Sequence, residues 1–470
     1  MVTKIAYSHR LFAWVLFAIG LVYHHTSLAC TDIRGELSEF NCLDYDPDSS
    51  TFRMTCSFAW GTEDTTKCIV LHKNEVFEGN GHSINLTEVS NYWEGLFQIA
   101  TNENGPSSLA DAPVIHDVHM IGGETSGKGG FIIQAEQKHF IVKHCSSSGV
   151  IQGQDSSPHY GGGGICGQKC SGDILITRCW STGEMRARAG GIAGRELGVD
   201  SSMHNTVTIS HCYSTGGILG NLCGGICGFQ AGYNSRGMVI IKQCYSLGEI
   251  GGLRSGGITG ADPGRENGHV SIINCYSRGD ITGSTNAGGI CGRKTGLAGG
   301  TVILTNVYAS GKIDRNDAGG LIGNIAASAN EINITMSVYN GDTGDMIGGT
   351  RDAHNKEKNS GDLGDITGTV YCYTDDDSDG KDRTPTQNQY CWNNETIWKA
   401  VKDDFPILVD GAAAAAEVTP TGIPSPYPTT SPSATPSNWR QRYEMELPVQ
   451  YPPRSVIMER EDRKHKKKTA

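Results

Sequence analysis

One phrase is written into this chain again and again. "HCYSTGG" (His211 to Gly217) returns as "QCYSLGE" (Gln243 to Glu249) and as "NCYSRGD" (Asn274 to Asp280). Aligned on itself, the chain has anchors at Cys145, Cys179, Cys212, Cys244, Cys275, Val307 and Val338, spaced by 34, 33, 32, 31, 32 and 31 residues. A single repeat of that length cannot bury its own apolar face, but stacked neighbours bury a continuous one.

Each anchor follows a short β-branched run, as in "DILITRC", "TVTISHC", "MVIIKQC", "VSIINC" and "TVILTNV", in which alternate residues are apolar. Eleven to thirteen residues after most anchors comes a second phrase, GGIAG at Gly190, GGICG at Gly224, GGITG at Gly256, GGICG at Gly288 and GGLIG at Gly319. A third apolar column lies six residues past the anchor, at Met185, Ile218, Ile250, Ile281 and Ile313. Its strand parity is that of the anchor, so both should point inward. Three short strands per period describe a parallel β-helix. A propeller of similar period would need more aromatic core and hairpin turns. Glycine, 63 of 470 residues against a usual share of roughly 7%, fits tight turns and close packing better than long helices.

The phrases "GGI.G" and "V.I..CYS.G.I.G" resemble the GLUG-type repeat of secreted and cell-surface proteins. The wider pattern is similar to right-handed β-helix proteins of the pectin-lyase-like superfamily. The resemblance covers about residues 145 to 345, and "NEVFEGNGHSINL", "GLFQIA" and "VIHDVHMIGG" extend it back to about Cys68. It implies an all-β, right-handed parallel β-helix with about 32 residues per coil, and no particular activity.

Around that body the expected organisation is a signal peptide (1–29), a cysteine-containing cap (30–67), the β-helix (68–345), a closing cap with an acidic loop (346–411), a Pro/Ser/Thr-rich stalk (412–438) and a charged tail (439–470). Lys4 and Arg10, the apolar run Leu11 to Tyr23 and the small residues Ser27 and Ala29 read as an export signal. The mature chain is therefore expected to be secreted or surface-associated, with no transmembrane anchor. Sequons at Asn85, Asn333 and Asn394 are candidate glycosylation sites. The formal charge of −11 argues against nucleic acid as a partner of the body.

The 16 cysteines fall into distinct groups. Cys30, Cys42, Cys56 and Cys68, and the pair Cys372 and Cys391, lie in irregular segments suited to disulfides, with the pairing of the four undecided. The ladder from Cys145 to Cys275 recurs once per coil, at about 4.8 Å, where either bridging or a stack of buried thiols is open. Cys166, Cys227 and Cys291 fall on alternate coils, and no matched CxxC pairs suggest zinc. "DDDSDGKD" places Asp375, Asp377 and Asp379 before Gly380, like the start of a calcium loop, although Thr386 stands where a bidentate Glu is usual.

The catalytic sets of polygalacturonase-like enzymes and of mannuronan epimerases are missing from the repeats. Arg186, Arg188, Arg195 and Glu196 could cluster on neighbouring coils, as a lyase acting next to a carboxylate would need, or be exposed turn charges. The residue before each anchor (His144, Arg178, His211, Gln243, Asn274, Asn306, Ser337) reads as a polar corner, with Asn274 and Asn306 as a hydrogen-bonded ladder and His144, Arg178 and His211 as a candidate proton-transfer cluster. From Cys179 on, the residue after each anchor is aromatic: Trp180, Tyr213, Tyr245, Tyr276, Tyr308 and Tyr339. Parity sets these rings opposite the inward anchor, as an outward stripe that could bind sugar rings or stack for stability alone. The expected function is binding or structural, with polysaccharide or another cell-surface component as partner. The alternative is a lyase or epimerase acting on acidic polysaccharide.

Overall fold

The computed structural model describes residues 30–335, apart from 38–39, 62–66, 90–92, 155–159, 200–204, 284, 315–316 and 327. Beyond them it describes only the strands Ser337–Asn340, Asp345–Ile347, Val370–Tyr373, Trp398–Lys399 and Ile407–Leu408. The export signal, the calcium loop, Asn394, Cys391, the stalk and the tail lie outside the described residues. Among those described, no helix is long and apolar enough to cross a membrane.

The chain winds into a parallel β-solenoid with about 32 residues per turn. Two sheets of 11 strands run its length. One is built from the β-branched runs, such as Thr206–Ser210, Met238–Lys242 and His269–Ile273, paired residue for residue. The other is built from two-residue Tyr-Ser strands, with Tyr213 paired to Tyr245 and Tyr245 to Tyr276. The third side of each turn is the glycine phrase. Its first glycines pair in register from Gly130 through Gly163, Gly190, Gly224, Gly256 and Gly288 to Gly319.

Left-handed residues separate the three sides. The residue before each anchor is one: φ is 51° at His144, 54° at Arg178, 53° at His211, 54° at Gln243, 52° at Asn274 and 51° at Asn306. A second column holds Arg188, Leu222, Arg254 and Asn286 at 57–65°, and a third holds Lys169, Glu196, Gln230, Asp262 and Lys294 at 53–63°. A side chain in this conformation costs roughly 1–2 kcal/mol. Each corner is therefore held by the hydrogen bonds of the turns above and below, as where Asn306 Nδ2 donates to Asn274 Oδ1 at 2.8 Å.

The interior is filled as parity requires. Met185, Ile218, Ile250 and Ile281 are fully buried and stacked in register, as are the cysteine anchors. Ser181, Ser214, Ser246 and Ser277 are buried too, facing the second glycine of the glycine phrase. A methyl group on Gly191 would lie 2.6 Å from Ser214 Oγ and against the carbonyl of Gly225. The phrases "CYS.G" and "GGI.G" repeat together because their small residues meet across the coil.

At the first end, Leu43–Asp46 pairs antiparallel with Thr51–Met54 and closes the long sheet, whose parallel stacking thus begins ahead of Cys68. Disulfides Cys30–Cys68 and Cys42–Cys56 fasten this segment. At the other end the alignment of the last rung is corrected. Tyr308 pairs with Val338, and Tyr339 pairs with Ala309, so Val338 is not an anchor and Tyr339 stands in the serine column. Ile332 and Ile334, buried beside Val302 and Leu304, set the register of that turn, which is one residue shorter than the repeated Val-Tyr pair suggested.

Replacing Gly191 by Ala should cost about 1–3 kcal/mol or prevent folding. Gly217→Ala, which meets only the Leu219 side chain at 3.2 Å, should stay within about 0.5 kcal/mol in a urea titration.

Candidate functional site

The aromatic column forms, but it is not an open platform. Ring centroids are 6.0 Å apart from Trp180 to Tyr213, 4.9 Å from Tyr213 to Tyr245 and 4.9 Å from Tyr245 to Tyr276, with planes within 7° of parallel. Tyr213, Tyr245, Tyr276 and Tyr308 are only 8%, 5%, 8% and 5% exposed. Parity gives the side of the strand to which a ring belongs. It does not reveal that at this spacing each ring covers both faces of its neighbours, leaving nothing for a sugar to stack on. Burial pushes the Tyr213 phenol up to about 12 and that of Tyr245 higher still. Half-exposed Trp180 starts the column, 5.4 Å from the ring of His119.

The cysteine ladder is likewise a packing device. Its thiols are free and buried, and the amides of Cys145 and Cys179 each donate to the sulfur one turn on, at 3.4 Å. Burial raises the Cys179 and Cys244 thiols, which keeps them protonated and unreactive. Cys166, Cys227 and Cys291 alternate with Ala193 and Thr259 in a second buried column.

At the corner before the anchors, His144 is joined to residues that the sequence reading did not connect with it. Asp117 Oδ2 bonds His116 Nδ1 at 2.7 Å, and its Oδ1 lies 3.8 Å from His144 Nδ1. One turn away His119 Nδ1 meets Ser146 Oγ at 2.8 Å. Burial lowers both His119 and His144, with Asp117 opposing. Although burial would raise it, Asp117 is held below the usual carboxylate range by His116 and the nearby imidazoles. His144, Arg178 and His211 are successive corners of one ridge.

Charge and exposed aromatic surface meet instead at the two corners flanking the glycine phrase. Arg188 and Arg195 both lie over the ring of Phe229, at 5.9 and 5.7 Å from its centroid, and Lys128 lies over Tyr160 at 4.9 Å. Arg265 lies over Tyr233 at 5.7 Å. Phe229, Tyr160 and Tyr233 are half-buried. Arg195 is paired with Glu196, and Gln230, its amide oriented to satisfy both neighbours, donates to Glu196 (3.1 Å) and accepts from Arg265 (2.7 Å). Arg265 also reaches Asp262 at 3.5 Å and Glu266 at 3.3 Å. Nε and Nη1 of Arg195 and Nε of Arg254 are buried without a hydrogen-bond partner. Burial, and then Arg188, lower the Arg195 guanidinium despite Glu196; burial and Arg254 do the same to Arg293. Guanidiniums thus crowd one another on this edge, an arrangement that favours a bound anion.

Of the four charged residues expected to cluster, Arg188, Arg195 and Glu196 do. Arg186 lies apart, at 3.1 Å from Glu184 and 3.2 Å from Glu124. Phe229, Arg254 and Arg293 were missed, although each sits at a fixed offset from a glycine phrase. Reading that phrase by columns, as was done for the anchors, would have found them. Asn85 is exposed, its Oδ1 accepting from the Thr87 amide at 2.9 Å, while Asn333 is half-buried within a strand. Among the described residues no group of three or more His, Cys, Asp or Glu side chains could hold a metal ion. Compared with protein-family models, curated proteins and solved structures, the chain gives no match in any of the three.

Because His119 and His144 are held neutral below the unfolded value of about 6.5, the unfolded chain binds their protons first as pH falls. Their contribution to stability should be full above that value and be lost below it. The urea midpoint should therefore drop between about pH 7.5 and 5.5, and drop less in His119→Asn.

Proposed function

We propose that this solenoid is a non-catalytic binding protein for an acidic polysaccharide, held along the edge formed by the two corners that flank the glycine phrase. The observation that carries the reading is Phe229 with Arg188 and Arg195 over its ring, on an edge where guanidiniums are crowded. Guanidinium forks match carboxylate and sulfate groups, and the Phe229 ring holds the two guanidiniums against it.

The two disulfides fit an oxidising, extracellular setting. The in-register "CYS.G" and "GGI.G" columns support membership of the GLUG-repeat class within the pectin-lyase-like solenoids. Glycosylation at Asn85, calcium at Asp375, Asp377 and Asp379, and attachment to a cell surface belong to the same picture.

One observation favours the alternative, a lyase or epimerase on the same ligand. Burial raises the half-buried Glu94 carboxyl despite nearby Lys128, as a proton-transferring group would require. Product analysis separates the two. Binding predicts retention on an immobilised acidic polysaccharide, elution by salt and no unsaturated or shortened product. Arg188→Ala and Phe229→Ala should each weaken retention, the former by about 1.5–3 kcal/mol, the strength of a hydrogen bond to a charged group. Tyr245→Ala, if folded, should bind as the parent does. Full retention in both edge variants would end the proposal.

A further inference from the structure

The edge also carries information about its ligand. One corner column reads Lys128, Gly161, Arg188, Leu222, Arg254, Asn286, one residue per turn. The carbonyls of Lys128, Arg188 and Arg254 occupy matching places: each abuts the closing glycine of the next glycine phrase, at Gly167, Gly228 and Gly292. They also accept hydrogen bonds from the amides of Gln168, Phe229 and Arg293. A cation therefore stands on every second turn, separated by a residue with no charge. With 4.9 Å between successive rings of the neighbouring column, the cations recur at about 10 Å.

A rigid row of this kind selects the spacing of its counter-charges. A polymer with an acid group on every sugar would set one of its groups against Leu222, which offers it no partner. A polymer with one acid group per disaccharide meets a cation each time. We infer that the ligand is a linear polysaccharide of alternating charged and uncharged sugars, bound with its axis along the solenoid. This rests on the binding reading above and names the substrate class of that same edge.

Leu222 makes the inference testable. It has φ 65°, while Arg188 and Arg254 adopt 62° and 61°, so an arginine fits its backbone. The full chain and Leu222→Arg would be titrated with hyaluronan, which has one carboxylate per disaccharide, and with polygalacturonate, which has one per sugar, at equal carboxylate concentration and equal salt. Simple charge attraction favours the denser polymer. The parent should instead hold hyaluronan several-fold tighter, and Leu222→Arg, by placing cations on three successive turns, should shift the ratio about tenfold toward polygalacturonate. Equal affinity in the parent, a preference for polygalacturonate, or an unchanged ratio in a folded Leu222→Arg would overturn the spacing inference alone. Failure to hold either polymer would overturn the binding reading, and this inference with it.

Discussion

Every feature of this molecule depends on the parallel hydrogen bonding of one turn to the next at a constant rise. The register is unbroken from Val239 to Val270 to Val302, and the amides of the Tyr-Ser strands follow the same ladder. A solitary turn could not hold three left-handed corners occupied by Arg, His, Leu and Glu. Stacked turns can, since each corner is bracketed by neighbours in the same conformation and its amide and carbonyl are bonded to them. The glycine and serine columns serve the same end: by letting opposite walls approach closely, they leave no room for a turn to slip.

Stacking sorts the side chains into two populations. Inside each wall, identical residues lie about 4.9 Å apart and use their surfaces on one another. Cysteines become a line of buried thiols, tyrosines a closed stack of rings, isoleucines a continuous core. At the corners the backbone is left-handed, and there the sequence stops being uniform. Arg188, Leu222, Arg254 and Asn286 share a conformation and have little else in common. Chemistry on a solenoid of this kind belongs where the repeat is least strict.

That division explains what could be read in advance. The Ile218 and Cys212 columns, the Asn274 to Asn306 ladder and the alternation of Cys166 with Ala193 follow from spacing and parity. The burial of Tyr245 does not, because parity is a property of one strand, while coverage is a property of three. Nor was the register of the last turn legible. Val338 and Tyr339 repeat the letters of Val307 and Tyr308, but the inward packing of Ile332 and Ile334 decides which residue is opposite which. Phe229 is not legible from the repeat, because the candidate site is built from the positions that vary between turns.

By itself, then, the sequence determined an all-β stack with about 32 residues per turn, its inward columns and its glycine corners, since period and alternation are local and each turn repeats them. Only the tertiary structure decided which aromatic rings are covered, how Cys30, Cys42, Cys56 and Cys68 pair, and that Arg188, Arg195 and Phe229 converge on one edge. Apart from Cys42–Cys56, the bonds and ring contacts among these join residues a whole turn or more apart in the chain. Their distances are set by how the turns are bent and stacked, which no single period of the sequence contains.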